Sequence, residues 1–438
     1  MNKYRNHIVY LVIFITIFGC KRDRDSPLTI ADLEDNSVSE ISKIRHVTFY
    51  IENSGSMLGY VNGPTQFVNA VNDLAQFPNL VKDDIPYSYN LISGKKNYKR
   101  PKDSLTIRTL GNSAEVLKSK LTKKRFETPS SGHSDLKNMF DIALTKAVTD
   151  SISILISDCI YDLGGSDDPL QALRNEATST RTNFINRLKA EDIEAFVIKL
   201  ESDFDGLYHP AKVEDPSGRS KQIDQKRPYY VWVFGNSDLL KKYFPEKRIE
   251  KLEGYIDVAR FRKLSTSEYP YAAIGFNNDG FRENYKVENT FKLNRKFGED
   301  YKFNIAVDFS NLNLSNSYLE TLGNYSTSGG YVVSSVKSIG ENASNDLKPY
   351  LKSLSYNPTH IITVKSLTPQ PEMGDMLINL DKVLPKWIQD TNTDNDYPFD
   401  GSTTTTFGFG TLINGITEAY DEVSKTTHIA TFKINIKN

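Results

Sequence analysis

Cysteine is nearly missing from this chain: 438 residues contain two, Cys20 and Cys159. Two cysteines cannot build a disulfide framework, so stability has to come from buried apolar cores. Net charge is missing as well, at −1 from 54 basic and 55 acidic residues, with the two signs interspersed. With that balance nothing marks a basic face of the kind a nucleic acid or a polybasic membrane contact would use. Long apolar runs are lacking too. The run Ile8 to Phe18 covers eleven residues, whereas crossing a bilayer core takes ~20. Histidine is scarce, with six in all, and none stands in H-E-x-x-H. The chain has no phosphate-cradling glycine loop and no nucleophile elbow.

What is present describes an ordinary globular body. Charged residues make up 25% and hydrophobic residues 38% of the chain, a mixture that folds rather than staying disordered. Tyrosine (24) and phenylalanine (23) are plentiful, which suits β-rich packing. The length allows two or three domains.

The chain is organised around His46 to Met57, HVTFYIENSGSM. Val47, Phe49 and Ile51 alternate with His46, Thr48 and Tyr50, and nearly every position can be buried, as in an interior strand covered on both faces. The strand runs into Glu52-Asn53-Ser54-Gly55-Ser56, where a carboxylate and two hydroxyls fall on alternate residues. Oxygen donors at i, i+2 and i+4 of a tight loop can turn onto one hard cation, and Gly55 eases the turn. About a hundred residues on, Ser151 to Asp158 (SISILISD) reads as a second buried strand that ends in an acid. If the two strands are parallel, Glu52 and Asp158 emerge at the same carboxyl edge, where open α/β sheets place their ligands. Between them Gly132-His133-Ser134-Asp135-Leu136 opens an amphipathic helix, and its amino terminus brings Ser134 to the same region.

In that order, ENSGSM, GHSDL and a strand ending in ISD resemble the metal-ion-dependent adhesion site of von Willebrand factor type A domains. That family reads D-x-S-x-S, then a Thr near G-x-T-D, then a strand ending in Asp. The resemblance covers roughly residues 44 to 244. It implies Ser54 and Ser56 as direct ligands, Ser134 as the third loop's hydroxyl, and Glu52 and Asp158 as holders of metal-bound water. It also implies Mg²⁺ or Mn²⁺ as the ion and a protein partner whose carboxylate fills an open coordination position. Two positions depart from the family: Glu52 replaces Asp, which moves the carboxylate outward by one methylene, and Ser134 replaces Thr.

The amino terminus reads as an export signal: Lys3 and Arg5 precede the apolar run, which ends at Gly19-Cys20. Ile17-Phe18-Gly19-Cys20 resembles a bacterial lipobox, which implies lipidation at Cys20, removal of residues 1–19, and a membrane-anchored protein of the cell envelope. Residues 20–43 are polar and charged and read as a tether. Cys159 then has no disulfide partner, and packing is its expected role.

Strands and helices alternate from residue 44 to 245, which predicts a doubly wound, mainly parallel sheet. Its helices include one from Pro169 to Ala190, and Ser202 to Arg227 reads as a polar insertion near the sheet edge. From residue 246 to 438 short alternating runs dominate, beginning with Tyr255 to Phe261, and predict a β-rich sandwich. An amphipathic helix, Phe409 to Ser424, is expected to pack over one end of it. In that half Asp390, Asn392, Asp394 and Asp396 alternate and resemble part of a calcium loop. The sixth position is Asn395 rather than Gly, however, and position twelve lacks Glu, so a solvated acidic loop is the favoured reading. Three functions follow: a metal-dependent protein-binding scaffold, which the motifs favour and which is no enzyme; a glycan-binding surface lipoprotein using the β-rich half; and a metal-assisted hydrolase.

Overall fold

The computed structural model describes residues 44–438 apart from 78–84, 96–103, 128–133, 164–167, 211–219, 266–268, 297, 313, 341–343 and 396–403. The export signal (1–19), Cys20 and the tether therefore lie outside the described residues.

Strand β1 (His46–Glu52) is buried at every residue but its first. It pairs in parallel with β2 (Tyr87–Gly94), which pairs antiparallel with the edge strand β3 (Leu105–Gly111). On its other side β1 pairs in parallel with β4 (Ser151–Ser157), whose seven residues are all buried. Beyond β4 come two long strands, β5 (Glu194–Tyr208) and β6 (Lys221–Gly235), and an edge strand, β7 (Tyr255–Phe261), in the order β3-β2-β1-β4-β6-β5-β7. The sheet is thus parallel at its centre and antiparallel on both flanks.

The pleat sorts side chains onto two covered faces. Val47, Phe49 and Ile51 share one core with Phe67, Val71 and Leu74 of α1 (Gln66–Leu74) and with Leu117 and Phe126 of the short helices α2 (Ala114–Lys118) and α3 (Lys123–Phe126). The Thr65 hydroxyl caps α1 by accepting the Val68 N–H at 3.4 Å. Tyr50, Leu155 and Trp232 face the opposite core, filled by Met139 and Phe140 of α4 (Leu136–Lys146) and by Phe184 and Leu188 of α5 (Pro169–Ala190). Helices α6 (Ser237–Tyr243) and α7 (Glu246–Ile249) complete the first face. Helices on both faces bear out the α/β layering.

Two expectations change at the flanks. Ser202 to Arg227 is not an insertion near the sheet edge. Most of it extends β5 and β6 into one continuous hairpin, paired from Glu194–Gly235 to Tyr208–Lys221, and β6 lies inside the sheet between β4 and β5. The stretch looks polar because one strand face meets solvent, while Phe204, Tyr208, Ile223 and Arg227 point inward. Tyr255 to Phe261 does not begin the β-rich half either, because it pairs with β5 as the last strand of the first sheet.

The remaining strands form two further sheets. β8 (Tyr271–Asp279), β11 (Lys302–Val307), β13 (Tyr331–Ser338) and β14 (His360–Ser366) make one. β9 (Phe281–Glu283), β10 (Thr290–Leu293), β12 (Tyr325–Thr327), β15 (Gly374–Asp381) and β18 (His428–Lys437) make the other, with the small pair β16 (Asn392–Thr393) and β17 (Thr406–Phe407) outside both. Phe303, Ile305 and Val364 of the first sheet meet Ile378, Phe432 and Ile434 of the second in one core, which is the expected sandwich. Short helices α8 (Asn316–Glu320) and α9 (Lys348–Lys352) lie at its margins, and α10 (Trp387–Thr391) leads back to the first sheet.

Helix α11 (Phe409–Val423) does not cap the sandwich. Phe409, Leu412, Ile413, Ile416 and Tyr420 are fully buried among Tyr230, Trp232, Phe261 and Phe184 of the α/β layers. Tyr230 stacks on Phe409 with ring centroids 4.2 Å apart. A Cβ at Gly415 would stand 3.0 Å from the Ala177 carbonyl oxygen, so glycine lets α11 lie directly on α5. The apolar stripe was legible in the sequence, but a stripe does not say which sheet it covers.

Candidate metal centre

The parallel pairing of β1 with β4 brings Glu52 and Asp158 out at one edge of the sheet. Both carboxyl groups are fully buried, and Asn53, Ser54 and Ser56 beside them are nearly so. After Glu52 the chain runs into a 3-10 turn, Ser56–Val61, and at its entry the Ser54 and Ser56 hydroxyls stand 3.0 Å apart. The Ser157 hydroxyl, at the end of β4, donates to Glu52 Oε2 and accepts the Cys159 N–H at 2.8 Å. Asp158 Oδ1 accepts the Ile160 N–H at 3.3 Å. Asp135 caps α4, accepting the Asn138 N–H at 3.4 Å, and so fixes Ser134 just ahead of the helix.

All five expected residues therefore meet at one place. Burial pushes the Glu52 carboxyl up to about 8, and the neighbouring Asp158 carboxylate adds to the rise; the Ser157, Ser134 and Ser54 hydroxyls pull the other way. Burial likewise raises Asp158, opposed by the Arg227 guanidinium and by the Ser56 hydroxyl. One oxygen of each acid, Glu52 Oε1 and Asp158 Oδ2, has no hydrogen-bond partner, and the Ser134 hydroxyl faces Glu52 without a hydrogen bond of good geometry. Buried oxygens left unpaired are costly unless something else satisfies them.

This donor set fits Mg²⁺ or Mn²⁺. It consists of hard oxygens only, two of them on acids that an ion would have to keep deprotonated. Among the described residues no three or more His, Cys, Asp or Glu side chains gather as a metal site. An ion here would be held by Glu52 and Asp158 together with the Ser54, Ser56 and Ser134 hydroxyls.

Three residues of the site went unread in the sequence. Ser157 sits one residue before the strand-ending acid, and its hydroxyl was visible in the ISD motif. His209 and Arg227 come from the extended hairpin and carried no signal in a stretch that read as a polar insertion. The hairpin lies directly on the site's loop. A Cβ at Gly59 would fall 2.4 Å from Cε2 of Phe204, and one at Gly206 would fall 2.8 Å from Gly59 Cα. A Cβ at Gly55 would stand 3.3 Å from Nε2 of His209, whose Nδ1 shares a 2.7 Å hydrogen bond with the Ser220 hydroxyl. Asn62 Nδ2 and Gln66 Nε2 donate to Asp205 and Asp203 at 2.7 Å and 3.0 Å, which ties the hairpin to the turn.

Cys159 is buried and free, with its thiol pushed well above the ordinary range by burial. It accepts the Trp232 Nε1–H at 3.4 Å. Its φ of +55° turns the chain sharply just after Asp158. In the stretch that resembles part of a calcium loop, Asp390 pairs with Lys386 at 2.9 Å, Asn392 Oδ1 accepts the Gly410 N–H at 2.8 Å, and Asn392 Nδ2 donates to Asp394 at 3.1 Å. Those three side chains serve α10, α11 and each other. Asp396 lies outside the described residues.

Comparison with family models and with curated proteins finds no match. Among the described residues no helix is long and apolar enough to cross a membrane.

Proposed function

We propose that this chain is a lipid-anchored binding or scaffold protein of the cell envelope, and that its α/β layers engage a protein partner through a divalent ion. One observation carries the reading. Five oxygen-bearing residues from three separate stretches of sequence, Glu52, Ser54, Ser56, Ser134 and Asp158, meet in one buried place, and one oxygen of each acid has no hydrogen-bond partner. The resemblance to type A domains supplies the ion, Mg²⁺ or Mn²⁺, and the idea of a partner carboxylate; the lipobox resemblance supplies the anchor at Cys20. The test is calorimetric titration of the full chain with MnCl₂ and with MgCl₂, alongside Ser54→Ala/Asp158→Ala. Binding by the wild type that the double variant loses supports the reading, and heats that are equal in both would refute it.

A second reading, glycan recognition by the sandwich, has one observation in its favour. A cavity of about 360 Å³ opens on the outer face of the β8-β11-β14-β13 sheet, lined by Phe276, Asn277, Asn304, Ser335, Lys337 and Thr363. Its mixture of hydroxyl, amide and aromatic groups suits a neutral sugar.

A further inference from the structure

Arg227 is the anomaly of the site. It stands two residues before Tyr229 on β6, on the same face as Tyr229 and Val231, and it is fully buried. Its guanidinium lies over the rings of Phe204, at 5.2 Å, and Tyr208, at 4.4 Å. Tyr60 packs edge-on against Phe204 at 4.9 Å and spends its hydroxyl on the Pro228 carbonyl, at 2.6 Å. Among the described residues none of the three guanidinium nitrogens makes a hydrogen bond of good geometry, and the Tyr60 hydroxyl oxygen is the neutral polar group that faces them. Aromatic faces attract a cation but do not replace the hydrogen bonds its N–H groups lose on leaving water. A buried cation persists where an opposite charge compensates it.

That charge is Asp158, which feels Arg227 without direct ion-pair contact. The antiparallel pairing of β4 with β6 places Ser157 opposite Tyr230, so Asp158 and Arg227 leave the paired region at the same end of the sheet. Asp158 is fully buried and keeps one oxygen unpaired. Arg227 favours its ionised form. We propose that Arg227 is the resident counter-cation of this site: it balances Asp158 in the metal-free chain, and it opposes the charge of a divalent ion that enters. The first half stands on this strand register, on the burial of both groups and on the pull of Arg227 on Asp158, and the second rests on the divalent-ion reading above. Arg227 is then a positioning residue that sets how readily the site takes metal, and it arrives on the hairpin that covers the site.

The test has two readouts on the full chain at pH 8.5. The first is a double-mutant cycle of Arg227→Met and Asp158→Asn, followed by urea unfolding in EDTA. Each single variant should lose stability, and the double variant should recover at least about tenfold in the unfolding constant over the product of the two single effects. Additive effects would overturn the counter-cation role and leave Arg227 as packing. If Arg227→Met alone fails to fold, the double variant is expected to fold, and its failure to do so overturns the same claim. The second readout is MnCl₂ titration of wild type, Arg227→Met and Arg227→Lys. Arg227→Met should bind at least about tenfold more tightly, the scale of one unit charge acting on a divalent ion in a partly polar interior. Arg227→Lys, which keeps the charge, should stay near wild type. Unchanged or weaker binding by Arg227→Met overturns the second half. If neither wild type nor variant binds, the divalent-ion reading falls with it, while the cycle still decides the first half.

Discussion

Glu52→Gln tests the electrostatics of the site most directly. Burial and the nearby Asp158 raise the Glu52 carboxyl from the ordinary 4.5 to about 8. Between those two values the folded chain holds a proton that the unfolded chain has already released. Stability therefore falls as pH rises through this window: the contribution is whole below 4.5 and lost by 8. At about 1.4 kcal/mol per unit of pH, the loss between pH 5 and pH 8 comes to roughly 3–4 kcal/mol in the absence of metal. Glutamine removes the titration and keeps an oxygen to accept the Ser157 hydroxyl. Asp158 is raised too and interacts with Glu52, so the difference between the two pH profiles reports the titration that the Glu52 charge brings to the pair. Urea unfolding in EDTA from pH 5 to pH 8 should show the wild type weakening steeply and Glu52→Gln much less, with the variant the more stable protein at pH 8. Parallel profiles would refute the reasoning, because they would mean that Glu52 titrates alike in the folded and unfolded chains.

Other consequences are more local. Ile416→Ala in α11, a fully buried position, should cost about 2–5 kcal/mol in urea unfolding; an effect below 1 kcal/mol would mean that α11 is loosely docked. A chain ending at residue 270 loses α10 and α11, which leaves Tyr230, Trp232 and Phe261 uncovered, so it should show no cooperative melt. Gly59→Val should disturb the contact with Phe204 and lower the melting temperature, and Gly59→Val/Phe204→Ala should recover part of the loss. Fatty-acid labelling of the expressed chain should be strong in wild type and absent in Cys20→Ser; equal labelling would remove the anchor from the proposed function.

The parts of the fold that were legible share one property: their pattern is local. β1 and β4 read as interior strands because nearly every residue is apolar or small, and the acid at each carboxyl end followed directly. Ser134 was placed by the helix start at Leu136. What escaped depends on partners far away in sequence. The outer half of the β5–β6 hairpin alternates buried and exposed residues, yet its inward positions include Arg227, so the apolar signal of a strand is interrupted where the site needs a cation. Helix α11 shows a clear stripe, but its seat on α5 depends on Gly415 meeting the backbone at Ala177, some 240 residues earlier. Tyr255 to Phe261 has the alternation of any short edge strand, and nothing in it says which sheet it joins.

The hairpin changes what binding at this site involves. Glu52 and Asp158 have no exposure, and Ser56, the most exposed of the three residues that share their pocket from the neighbouring turn, has 7%. Phe204 and Gly206 press on Gly59, and His209 stands above Gly55. A partner carboxylate completing an ion's coordination would have to enter where those residues lie. The ties that hold the hairpin down, Asn62 to Asp205 and Gln66 to Asp203, are solvent-exposed hydrogen bonds, which contribute little individually. The base of the hairpin, by contrast, is paired on both sides within the sheet. Opening is therefore expected to hinge beyond the core pairing rather than unzip the sheet. An ion entering beneath would strengthen the case for opening by setting its charge against Arg227, which the same hairpin carries. If the proposed ion and partner both use this site, metal entry and exposure of the face that would meet the partner are one linked equilibrium, because a single element supplies both the cover and the opposing charge.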